Sequence, residues 1–131
     1  MRYLTLAGRI LYSVIFIMAP VFHLSPGAVA YATQAGVPMP GVLVPVSGVI
    51  ALIGGLSVLL GFKAKLGAWL LVLFLVPVTF MMHAFWGVQD PMMRQFQMAM
   101  FMKNISLLGT ALFISQVGAG PMSLDGRRGG A

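Results

Sequence analysis

The sequence predicts an all-α membrane protein: an integral four-helix bundle with both chain ends inside the cell and a short outer interfacial helix after the first span. Three observations carry that expectation. Of 131 residues, 60% are hydrophobic and only 8% are charged, against roughly 25% charged in an ordinary soluble domain. The mean hydropathy is +0.98. Apolar runs at about residues 7–24, 41–62, 66–86 and 91–117 are each long enough for a helix to cross the hydrocarbon at about 1.5 Å per residue. Inside lipid every backbone amide must pair internally, so helices are the economical way across. The net charge of +6 does not indicate nucleic acid, because the basic residues sit at the ends of the apolar runs rather than in one stripe. The absence of cysteine excludes thiol chemistry, thiolate metal sites and iron-sulfur clusters.

The first span carries Thr5, Arg9, Ser13, Phe16, Pro20 and His23 at helical spacing. Arg2 and Arg9, the apolar stretch to Phe22 and then Ala28-Val29-Ala30 imitate a cleavable secretory signal. The polar face of the span argues for its retention in the bundle. Ser25-Pro26 reads as an N-cap with proline in the first turn, and Gly36 with Pro38 as a stop, giving a short helix over 26–35 at the outer interface.

In the second span Ser47, Ala51 and Gly55 recur every four residues, with Gly48 and Gly54 beside them, a smooth face for close helix packing. Gly61 to Lys65 is a tight inner turn, which makes the second and third spans antiparallel neighbours. The third span bends at Pro77 and offers Thr79, His83 and Trp86 toward its outer end. Asp90-Pro91 starts the fourth span well outside the apolar core, and Gln95, Ala99, Lys103, Ser106 and Thr110 form a stripe that the same logic places inward. Residues 118–131, glycine-rich and polar, are expected to form a flexible cytoplasmic tail on this single domain of residues 1–131. Arg2, Arg9, Lys63, Lys65, Arg127 and Arg128 fall on one side, which makes that side cytoplasmic.

An ionisable residue within a span is a functional candidate by default. His83, Trp86, Lys103 and Asn104 are the candidate lining of an outer pocket for a quinone or another small ligand. His23 and His83 as a pair are a weaker candidate for haem or a metal ion, and as interfacial anchors they need no ligand at all. Lys103 has two readings. Its ammonium snorkels toward the nearer interface, or it binds an anionic or carbonyl group with Asn104. The eleven methionines are core and lipid contacts. No complete catalytic constellation is present.

The chain resembles the DoxX family of small bacterial inner-membrane proteins. The matching words are Gly8-Arg9-Ile10-Leu11, Tyr31 to Pro38, Gly54-Gly55 ahead of Gly61, His83-Ala84-Phe85-Trp86, Phe101-Met102-Lys103-Asn104 and Gly120-Pro121 before Ser123-Leu124-Asp125. The resemblance implies four spans in a bacterial inner membrane. It also implies a link to membrane redox, since the family takes its name from a subunit of a thiosulfate:quinone oxidoreductase. Ala51 stands where many relatives carry a glutamate, which removes support for a buried acid paired with Lys103 and for a proton-coupled exporter. Expectation therefore centres on an accessory, quinone-proximal component that partners the lipid bilayer, a membrane redox enzyme or its own copies. The alternative is a non-catalytic structural or assembly protein, or a small-solute permease.

Overall fold

The computed structural model describes residues 1–129. It is all-helical over those residues, with α1 (Arg2–Ile17), α2 (Ala19–His23), α3 (Pro26–Gln34), α4 (Pro40–Leu60), α5 (Ala64–Met82), a 3₁₀ turn at Phe85–Gly87, α6 (Pro91–Val117) and α7 (Leu124–Arg127). Four stretches are long and apolar enough to span a bilayer: α1 with α2, α4, α5 with the 3₁₀ turn, and α6. At most about a third of each span is buried inside the protein, so most of each helix presents apolar side chains outward, to lipid.

α4 is the centre of the bundle, packed on one side against α1 and α2 and on the other against α5, while α6 packs on α5. Glycine makes the close approaches. A Cβ at Gly55 would come within 2.9 Å of the Phe16 Cβ and one at Gly48 within 2.8 Å of the His23 Cβ. Gly54 on α4 faces Gly67 and Leu71 on α5. The Ser47, Ala51 and Gly55 face is thus occupied by the chain's own first span, so it is not open to a partner. Phe16, Val58, Leu71 and Leu75 fill the centre. The Tyr12 hydroxyl on α1 donates to the Leu107 carbonyl on α6 at 2.7 Å and closes the ring of helices.

Three boundaries depart from expectation. The first span breaks at Met18, because Pro20 lacks the N–H that would continue the ladder to Phe16. The third span reaches Gly87 as expected, but within it α5 ends at Met82 and a 3₁₀ turn completes the crossing, since Tyr31 takes the Met82 carbonyl (3.2 Å). The largest departure concerns the C-terminal segment. Residues 118–128 are pinned, where a flexible tail was expected. Residues 130 and 131 of that tail lie outside the described residues.

The pin is a clasp made by two charged side chains. The Arg9 guanidinium, 5% exposed, donates to the carbonyls of Ala119 (3.1 Å), Pro121 (3.4 Å) and Met122 (2.6 Å). The Asp125 carboxylate accepts from the backbone amides of Lys63 (2.8 Å) and Ala64 (2.9 Å). The first amides of a helix have no intrahelical acceptor, and α5 has no side-chain cap of its own. Asp125 supplies one from 61 residues away, and its negative charge suits the helix N-terminus. The Asp125 amide in turn donates to the Gly61 carbonyl at 2.7 Å. Gly61 has φ +64, and a Cβ there would overlap Ser123, so glycine is required on both counts.

Candidate functional site

All six basic residues assigned by sequence to one side cluster around this clasp: Arg2, Arg9 and Arg127 line one cavity, Lys63 and Lys65 flank the α5 start, and Arg128 lies over the Phe62 ring at 5.2 Å. Asp90 and Arg94 stand at the far end, around the start of α6.

The far end is built from neutral polar groups. His83, at the end of α5, has its Nδ1 2.7 Å from the Gln97 side-chain oxygen of α6. An amide oxygen only accepts, so Nδ1 carries the proton. The Gln97 amide nitrogen donates to the Tyr31 hydroxyl at 2.6 Å, and that hydroxyl donates to the Met82 carbonyl. The relay joins α3, α5 and α6. Tyr31, Gln97 and Met82 also line a cavity of about 250 Å³.

His23 makes a second, separate pair. Its Nδ1 lies 2.9 Å from the Ser47 hydroxyl, and that hydroxyl gives its proton to the Val44 carbonyl at 2.6 Å. The imidazole must therefore donate from Nδ1, which leaves Nε2 as an acceptor. The ring lies 5.5 Å from that of Phe74. His23, Ser47, Phe74 and Pro77 border a mainly apolar cavity of about 270 Å³ between α2, α4 and α5.

The four residues proposed to line one pocket do not converge. His83 is committed to Gln97. Trp86 is 55% exposed and stacks edge-on with Phe101, centroids 5.8 Å apart. Lys103 is exposed and reaches only the Met100 sulfur, at 3.7 Å, while its neighbour Asn104 is buried. Adjacent residues on a helix point about 100° apart, so Lys103 and Asn104 cannot serve one inward pocket. The two histidines engage different helices through Nδ1, and among the described residues no group of three or more His, Asp or Glu is placed to hold a metal ion.

The inward face of α6 also differs from the predicted one. Gln95, Ala99, Lys103, Ser106 and Thr110 are all exposed. The interior residues are Gln97, Asn104, Ala111, Ile114 and Ser115. Polarity alone chose the wrong side, because lipid and helix interior are equally apolar and hydropathy does not separate them. The seven-residue spacing of Gln97, Asn104 and Ala111 was the signal that could have found the inner face. Tyr31 had no sequence signal for its role: it depends on where α3 docks.

Four apolar helices joined by internal polar pairs define a multi-pass membrane protein of the helical-bundle class. The chain belongs to the SURF4 family, whose description matches residues 1–129. It is similar to the Surfeit locus protein 4 homolog of the fission yeast Schizosaccharomyces pombe, with 34% identity over 70 residues. That match covers 53% of this chain and 23% of the relative, so the chain spans well under two thirds of the curated relative's length. No solved structure matches it.

This assignment corrects the DoxX resemblance. The words that carried it are short and scattered, and several are runs of common apolar residues that composition alone repeats, whereas the SURF4 match runs along residues 1–129. The bacterial inner membrane falls with that resemblance, as the relative is eukaryotic. The redox association had no other support.

Proposed function

We propose that this protein is a non-catalytic structural or assembly component of its membrane, and that it receives a partner helix on the outward face of α6. The observation that carries the reading is the exposed stripe of Gln95, Lys103, Ser106 and Thr110. Lys103 lies 12 residues into the 27-residue α6, about 18 Å along its axis, deep in a span that most of the bundle gives over to lipid. A lysine there is costly when it faces hydrocarbon. Ala99 and the exposed Gly109 keep the face shallow enough for close approach.

The partner favoured by this chemistry carries a carboxylate or a cluster of carbonyl acceptors at the depth of Lys103. A second copy in the same orientation, related by a two-fold axis along the stripe, would bring two lysines together, so self-association is less favourable. The excess of basic residues assigns the clasp end to the cytoplasmic side.

A photoreactive residue placed at Ser106 tests the reading against one at Leu112, which is also exposed but lies on another side of α6. The Ser106 probe is expected to cross-link one discrete protein species in native membranes, and Lys103→Leu to reduce that product severalfold. Lipid adducts alone from both positions, unchanged by Lys103→Leu, would refute it.

A further inference from the structure

A cavity of about 670 Å³ opens at the clasp end, more than twice the size of either far-end cavity. Its walls divide by chemistry. Arg2, Arg9 and Arg127 supply three guanidiniums, and Leu6, Ile10 and Leu60 supply an apolar side. No acidic residue lines it.

Arg9 makes this arrangement unusual. Its side chain is 5% exposed, its Nε has no hydrogen-bond partner, and its other nitrogens meet only carbonyl oxygens. Those carbonyls are dipoles, so the formal negative charge that offsets Arg9 comes from Asp125. Asp125 attracts Arg9 electrostatically but gives both carboxylate oxygens to the amides of Lys63 and Ala64 rather than to the guanidinium. One carboxylate thus stands against three guanidiniums, and the opening keeps an excess of positive charge with no acid in its lining.

We propose that this cavity binds the headgroup of an anionic phospholipid, its phosphate held by Arg2 and Arg127 above the buried Arg9 and its first acyl carbons lying on Leu6, Ile10 and Leu60. The guanidinium fork matches phosphate oxygens in pairs. The apolar wall distinguishes an amphiphile from a free ion, which would gain nothing from three aliphatic side chains. Position agrees as well: the cavity lies beside the last turn of α4, at the level where the basic residues collect and where lipid headgroups lie.

The test uses the full chain in nanodiscs of phosphatidylcholine containing a minority of phosphatidylglycerol, with retained lipid counted by native mass spectrometry. Arg2 and Arg127 are exposed, so Arg2→Gln with Arg127→Gln leaves the clasp bonds of Arg9 intact, and an unchanged near-ultraviolet dichroism spectrum checks the fold. Wild type is expected to retain phosphatidylglycerol over phosphatidylcholine. The double variant should lose about twenty-fivefold in that preference, at about fivefold per basic side chain.

A second double variant, Lys65→Gln with Arg128→Gln, removes the same charge from the same end outside the cavity and should stay within about twofold of wild type, as exposed charges are screened over about 8 Å. Millimolar inorganic phosphate should not displace the lipid. Equal losses in the two double variants would mean diffuse attraction to a basic surface and would overturn the site. Displacement by inorganic phosphate would overturn the lipid in favour of a free anion, and absence of any phosphatidylglycerol preference would remove both.

Discussion

At the clasp end a buried guanidinium donates to three carbonyls and a carboxylate caps a helix 61 residues away, whereas at the far end an imidazole, an amide and a phenol pass neutral hydrogen bonds among α3, α5 and α6. Both join segments distant in sequence. They differ in what each bond carries, because hydrogen bonds with an ionised partner are roughly twice as strong as neutral ones. Charge is used where the basic residues gather; neutral groups are used at the opposite end, where Tyr31, Met82 and Gln97 border a smaller cavity.

The comparison can be broken most severely at Arg9. Arg9→Met keeps the aliphatic stem but removes every clasp donor, leaving the carbonyls of Ala119, Pro121 and Met122 to find water. A loss of about 3 kcal/mol is expected, read as a lower midpoint in denaturing detergent, with amide exchange in residues 119–127 rising before the rest of the bundle opens. Uniform acceleration across all helices would show that the clasp is not a separate unit.

Asp125→Ala should be the next largest. It uncaps two amides of α5, for about 1–2 kcal/mol, and exchange should rise at Lys63 and Ala64 with the far end unaffected. Gln97→Leu interrupts the neutral relay and is expected to cost about 1 kcal/mol, visible as a change in the ring-nitrogen shifts of His83 while the clasp amides stay protected. Tyr31→Phe removes only the bond to Met82 and one acceptor for Gln97, about 0.6 kcal/mol by the average for hydrogen bonds within membrane helices. If the two far-end changes matched the loss at Arg9, the proposed difference between charged and neutral fastening would fail.

Much of the scaffold was legible because lipid imposes length and apolarity on each span. The starts of α3 at Pro26 and α6 at Pro91, behind Ser25 and Asp90, followed from local rules that tertiary contacts did not disturb. Neither Ser25 nor Asp90 caps its helix with its side chain, and Ser25 gives its hydroxyl to the Phe22 carbonyl.

The site was far less legible. His83 and Trp86 fall near one another, but the rotational setting of α6 decided that Gln97, and not Lys103, would meet the imidazole. That setting comes from packing on α5, and a helix with polar residues on two faces does not announce which face is inside. The ordering of residues 118–128 was hidden for a related reason. Glycine, serine and aspartate read as a fraying end until Arg9 is placed beneath them.

The long-range cap on α5 has a consequence for how the molecule is made. Synthesis delivers the first turn of that helix well before Asp125, so its leading amides wait in water or among headgroups while α6 is still being threaded. Only when the last stretch returns to Gly61 and Lys63 is the earlier turn finished. The bundle is thus sealed retrospectively, and an interruption upstream of Asp125 would yield a chain with its crossings in place and the hinge between α4 and α5 unfastened.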